Sequence, residues 1–281
     1  MRWIFYVLIA LLLSASSTNA QGRLSQIRDK VDPPPSSRDE EEEEDDHTHH
    51  DCCCDEDEDD GIFGPIIAEL FFSPFTVPHA LTKDSLEIEG LFPPYPYAKP
   101  FEGYIQRSKK FSEEEKELLG TIAGRFSVEQ GSDFRGLHRT NFHMLIETMS
   151  RFGIQTRFDY LYEDTGFGKD ELYLGTTELT FRFAQCSSFQ SFAGIGLRYI
   201  NERDKNHFGF NFTYAFDVFP VKPYVMSVIF DLGTIGSATV IHIRGTFGVL
   251  WKGIEFFGGY DYRSFDGVGV KGPFLGLRYW F

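Results

Sequence analysis

From Leu119 to Phe281 the apolar side chains return at every second position. In the stretch 152–162, Phe152, Ile154, Phe158, Tyr160 and Tyr162 share one parity, and Gln155, Arg157 and Asp159 share the other. Further on, Phe208, Phe210, Phe212, Tyr214 and Phe216 oppose Gly209, Asn211, Thr213 and Asp217. Ile254, Phe256, Tyr260 and Tyr262 oppose Glu255, Asp261 and Arg263. Successive side chains of a strand point to opposite faces, so a period of two marks strands with one apolar and one polar face. Ten such segments follow one another, at 120–130, 139–149, 152–162, 171–184, 189–200, 207–217, 222–232, 238–250, 253–263 and 273–281.

The fold this predicts is all-β: an antiparallel barrel of ten strands, within a range of eight to twelve. Connections around Arg151, Cys186, Pro220 and Lys252 read as short turns, and Gly131–His138, Glu163–Asp170 and Ser264–Gly272 as longer polar loops. Alternation alone fits a soluble barrel with its apolar face inside, but size decides against it. A few layers of side chains fill a barrel of this strand number, and Phe, Tyr, Leu and Ile on every strand would not fit. With 30 Phe and 16% aromatic residues, the apolar face is expected to meet lipid. The other face carries small residues such as Gly153, Gly194, Gly196, Gly209, Gly248, Gly259 and Gly276 beside charge. The predicted lumen network comprises Arg125, Glu147, Arg157, Asp159, Arg182, Arg198, Asp217, His242, Arg244, Glu255, Asp261, Arg263 and Arg278, with Glu129, His143, Glu178 and Asp231 on the same face. Ionised groups in a narrow lumen must pair, because an unpaired buried charge costs several kcal/mol. A salt-bridged plug is the favoured expectation and an open pore its competitor.

The N-terminus reads as an export signal: Arg2, an apolar core from Ile4 to Leu13, then small and polar residues to Ala20, the expected cleavage point. Beyond it, no stretch has the 18 or so apolar residues of a helical span. A membrane protein without spanning helices is a barrel or a peripheral protein. The stretch Phe274-Leu-Gly-Leu-Arg-Tyr-Trp-Phe281 places Leu275, Leu277, Tyr279 and Phe281 on one face. It resembles the terminal strand of bacterial outer-membrane β-barrel proteins, and the resemblance covers about residues 119–281. It implies an outer-membrane location, lipid as a partner, and recognition of Tyr279 and Phe281 by the barrel-assembly machinery.

The net charge of −15 is local. Residues 39–60 are rich in Asp and Glu and hold no Lys or Arg, and the remainder is neutral. Without a basic stripe, no nucleic-acid partner is expected. The division that follows is a signal peptide at 1–20, a disordered acidic leader at 21–60, a periplasmic or barrel-docked preface at 61–118 and the barrel at 119–281. The leader holds too little apolar surface to fold. Its His47, His49, His50, Cys52, Cys53 and Cys54 are soft-metal ligand types without the spacing of a closed zinc site, so weak divalent-metal binding and an inert linker both stand. No other cofactor is expected. Cys186 could bridge to one of Cys52–Cys54 in an oxidising compartment. In the preface, Ser112 and Glu115 have capping-box spacing and predict a short helix. The expected role is structural, adhesive or weakly conducting. A hydrolytic barrel using His143 with Glu147, or His242, is the alternative, although no G-x-S-x-G motif is present.

Overall fold

The computed structural model describes residues 22–33, 75–80, 82–84, 90–107, 111–165, 168–201 and 205–281. Ten antiparallel strands close into one barrel: β3 (Ile122–Ser132), β4 (Leu137–Thr148), β5 (Phe152–Thr165), β6 (Gly168–Cys186), β7 (Phe189–Asn201), β8 (Asn206–Val218), β9 (Tyr224–Ile235), β10 (Ala238–Trp251), β11 (Ile254–Phe265) and β12 (Val268–Trp280). Each strand pairs with its sequence neighbour, and β12 returns to β3 through Phe274↔Gly131 to Trp280↔Arg125. Beyond the last strand, Phe281 and Gly124 exchange backbone hydrogen bonds of 2.9 and 2.6 Å. A Cβ on Gly124 would sit 2.4 Å from the Phe281 ring, so the closure uses a glycine where the terminal aromatic lies flat on the neighbouring strand.

The connections are short at both mouths, which corrects the expectation of long loops at 131–138, 163–170 and 264–272. Only 133–136, 166–167 and 266–267 separate the strands there. Their polar residues lie on strand ends that continue past the apolar belt into water. Lys252-Gly253 and Asp266-Gly267 reverse the chain in two residues, all with positive φ (49° and 84°, 42° and 88°), the geometry that matches the twist of paired strands.

The outward parity is apolar around the whole circumference. Exposed residues include Phe126 and Val128 on β3, Phe142 and Met144 on β4, Ile195 and Leu197 on β7, Ile241 and Phe247 on β10, and Leu275 and Leu277 on β12. On β10 this face runs from Ile241 to Trp251. At about 3.3 Å per residue and a tilt of about 40° that spans about 25 Å, the height of a membrane barrel's apolar band.

Three described segments outside the barrel dock onto it: residues 75–80 and 82–84, through Phe75 on Phe183 and Tyr214 and through Asp84 on Arg151, and one further segment at each mouth. At the mouth where β3 begins and β12 ends, β1 (Gly90–Leu91) pairs with β2 (Gln106–Arg107), and the loop between them enters the barrel. Phe92, Tyr97, Tyr104 and Ile105 pack there with Phe219, Val225, Leu250 and Trp280. Gly103, at φ 75°, passes so close to the β6–β7 turn that a Cβ would lie 1.8 Å from the Ser187 carbonyl oxygen. The described part of the preface is thus barrel-docked. Helix α2 (Glu113–Lys116) follows, with the Ser112/Glu115 capping box formed in both directions.

The opposite mouth is covered by helix α1 (Arg23–Val31). Residues 23–31 of the expected leader are thus helical, and its residues 34–60 lie outside the described residues. Leu24, Ile27 and Val31 recur at helical spacing and are buried against Leu137, Leu161, Leu172, Ile200, Ile235, Val240 and Phe265. The rim holds the helix at both ends. Glu163 accepts from the Leu24 backbone N–H at 3.1 Å, and Ser237 Oγ donates to the Lys30 carbonyl at 2.7 Å. Arg23 pairs with Asp133 at 2.5 Å, and Arg28 reaches both oxygens of Asp170 at 2.6 and 2.7 Å. An apolar stripe too narrow for an independent core suffices for a lid, because the barrel supplies the other half.

Candidate functional site

Between these two apolar layers lies a lumen filled with ionised side chains. Every strand projects alternate residues inward, so the network follows from period two and closure together. The inward cations are Arg125, Arg139, Arg157, Arg182, Arg198, Arg244, Arg263 and Arg278, eight guanidiniums. The inward anions are Glu129, Glu147, Asp159, Glu178, Asp217, Asp231, Glu255 and Asp261, eight carboxylates.

Seven of the arginines have carboxylate partners. Arg125 meets Asp217 at 2.7 Å across the lumen, and Arg182 meets Glu147 at 2.8 Å. Arg157 forks between Asp231, at 2.5 and 2.9 Å, and Glu178 at 2.7 Å. Arg263 binds Asp159 at 2.8 Å, Arg278 binds Glu255 at 3.1 Å, Arg139 pairs with Asp261 and Arg244 with Glu129. Both nitrogens of His242 meet carboxylates, Nδ1 at Asp231 (2.6 Å) and Nε2 at Asp261 (2.8 Å). Amide and hydroxyl groups fill remaining sites. Gln155 and Asn211 donate to Glu178, and Thr213 donates to Asp231 at 2.6 Å. Charges withdrawn from water survive only when paired and hydrogen-bonded in this way.

All thirteen residues of the lumen network expected from sequence lie inside the barrel; Arg263 is the most exposed, with 11% of its side chain reachable by solvent. Sequence reasoning missed Arg139 and Asn141 on the inward parity, and placed Gln155 and Thr213 on the polar face without counting them in the network. It also missed the pair Arg151–Asp84, bidentate at 2.7 Å at the first mouth. The expectation that aromatics face lipid needs correcting at five strand positions. Phe192, Phe257, Phe265, Phe274 and Trp280 are buried inside. Three of them are platforms for the cations: Arg244 lies 4.3 Å above Phe274, Arg278 4.5 Å above Phe257 and Arg125 5.2 Å above Trp280. A guanidinium gains from an aromatic face most when both are desolvated.

Tyr279 is exposed on the outer face and stacks with Phe281, ring centres 6.0 Å apart. His143 and Glu147, the pair of the hydrolytic alternative, sit deep in the lumen, and Glu147 is committed to Arg182. Cys186 is a free thiol beside Ser188. The signal peptide and His47, His49, His50, Cys52, Cys53 and Cys54 lie outside the described residues. Among the described residues no group of three or more His, Cys, Asp or Glu is placed to hold a metal, and no helix is long and apolar enough to cross a membrane.

No family model and no curated sequence matches the chain. Among solved structures, it is similar to the attachment invasion locus protein Ail of Yersinia pestis, at 14% identity over 57% of this chain and 96% of that one, with a TM-score of 0.27. The beta domain of the Bordetella autotransporter BrkA matches at 9% identity over 57% and 98%, TM-score 0.32. The KdgM porin matches at 10% identity over 56% and 98%, TM-score 0.25. On its own geometry, a closed antiparallel sheet of ten strands with an apolar exterior and a charged interior, the chain has the architecture of an outer-membrane β-barrel.

Proposed function

We propose that the protein is an integral barrel of a bacterial outer membrane that does not conduct, and that it serves a structural or adhesive role. The observation that carries this reading is the double seal. An ion entering from either side meets an apolar layer first, α1 with its ring of Leu, Ile and Val at one mouth and the Phe92–Trp280 cluster at the other. Behind each layer stand charges that, Arg198 apart, are paired with one another. The apolar belt supports lipid as the surrounding partner, and the exposed Tyr279–Phe281 pair supports recognition of the last strand by an assembly machinery. The test is planar-bilayer recording on the purified full chain, with heat-modifiable mobility in detergent gels confirming the folded barrel. The expected trace has no stable open level. Steady conductance of porin size from heat-modifiable protein would refute the seal and favour a small channel.

A further inference from the structure

Among the described residues, one lumen cation has no carboxylate partner. Arg198, on β7, is 4% exposed, and its side-chain partner there is the amide oxygen of Asn211. Its Nη1 has no hydrogen-bond partner. The nearby carboxylates are committed: Asp159 to Arg263, Asp231 to Arg157 and His242, and Glu178 to Arg157, Gln155 and Asn211. A buried guanidinium left without a counter-charge is the costliest element such a lumen can contain.

Arg198 borders a cavity that lies directly under the lid, floored by the charge network and roofed by Leu174 and Phe265 of the apolar layer. The centre of a water-sized particle has about 20 Å³ to move in there, more than the roughly 10–15 Å³ that one bound water needs. Two further groups on its wall have unused donors, Nε of Arg157 and Oγ1 of Thr176, and Thr176 stands opposite Arg198 in the β6–β7 register. A guanidinium N–H only donates. A water would satisfy these groups while leaving the charge of Arg198 uncancelled, and its own protons would need acceptors from Asp159 or Asp231, which also line the wall. A small monovalent anion accepts from every donor and balances a wall on which three arginines, Arg157, Arg198 and Arg263, face two aspartates, Asp159 and Asp231.

We propose that the lumen holds one halide-sized monovalent anion beneath helix α1, bound by Arg198 Nη1, Arg157 Nε and the Thr176 hydroxyl. The site lies on the α1 side of the charge network, since Leu174 and Phe265 of its wall belong to the apolar layer against which α1 packs.

The probe is bromide. Crystals of the full chain grown in sodium bromide should show an anomalous peak in this cavity within hydrogen-bond distance of Arg198. In parallel, the melting temperature of the detergent-solubilised protein should rise saturably when bromide or chloride replaces gluconate at constant ionic strength. Arg198→Gln should abolish both signals, and Thr176→Val should weaken the saturable shift. If bromide labels surface sites while the cavity stays without anomalous density, the proposal fails, even if Arg198→Gln does not fold. A bromide shift that persists unchanged in folded Arg198→Gln also overturns it.

Discussion

Glu255 and Arg278 are cross-strand neighbours on β11 and β12, 0% and 3% exposed. The guanidinium lies 3.1 and 3.2 Å from the carboxylate oxygens, and Trp280 donates its indole N–H to the same carboxylate at 2.8 Å. At such a distance and an effective dielectric constant of about 20, the attraction is about 5 kcal/mol. Arg278→Met removes it and leaves a buried carboxylate with one indole donor, so unfolding should become easier by about 3–5 kcal/mol. Glu255→Gln keeps the indole hydrogen bond but strands Arg278, and should cost a similar amount. The double variant buries no charge at either position and should cost less than the sum of the single losses by about 3 kcal/mol, which is the signature of a pair rather than two independent residues. The assay is urea unfolding from lipid vesicles, followed by the fluorescence of lipid-facing Trp251, across the four-member cycle. Additive losses, within about 0.5 kcal/mol, would refute the reasoning that pairing is what makes the lumen charges tolerable.

Ile195, 57% exposed near the middle of β7, should not accept a cation. Ile195→Arg should lower insertion into vesicles by an amount equivalent to about 2–4 kcal/mol, while Ile195→Leu inserts normally; equal insertion would place that face outside lipid. Leu24 is wholly buried under the lid, so Leu24→Asp should undock α1, seen as faster hydrogen exchange over residues 22–33 with the strand amides unchanged. Burial pushes the Tyr97 phenol up to about 12 from its ordinary 10.0. Its neutral form is therefore favoured in the folded state: the stability it contributes is present below pH 10 and is lost as pH rises from 10 toward 12. Phenolate absorbance of wild type against Tyr97→Phe should show that late-titrating tyrosine, and a matching profile for the two proteins would contradict it.

What could be read in the chain was what period two carries: the ten strands, their order and the parity of the lumen charges. Boundaries failed where polar residues continue a strand, as at Glu163 and Asp170, because composition registers the aqueous surroundings and not the backbone. Three of the inner aromatics escaped because they stand beside outward apolar residues: Phe257 next to Phe256, Phe274 next to Leu275, Trp280 between Tyr279 and Phe281. In such runs the alternation is invisible until the register is known. Helix α1 did carry a signal, the spacing of Leu24, Ile27 and Val31, but a stripe of three apolar residues in a polar leader has no meaning without the mouth that completes it. The ion pairs were beyond reach for a different reason. Arg125 and Asp217 are 92 residues apart and meet only because the sheet closes.

That every lumen cation is arginine follows from the same closure. The strand lysines Lys169 and Lys271 fall on the outward parity near the rim. In a lumen of this width each cation must serve several strands at once, and a guanidinium has a planar fork of donors that can be divided. Arg157 uses it to join Asp231 of β9 to Glu178 of β6. The flat faces that remain are apolar enough to lie on Phe274, Phe257 and Trp280, so the inner aromatics and the arginines require one another. An ammonium would be a point charge with a stronger claim on water and no face to stack. The charged interior is therefore packed from planar groups that share their donors and their faces, with a small cavity beside Arg198.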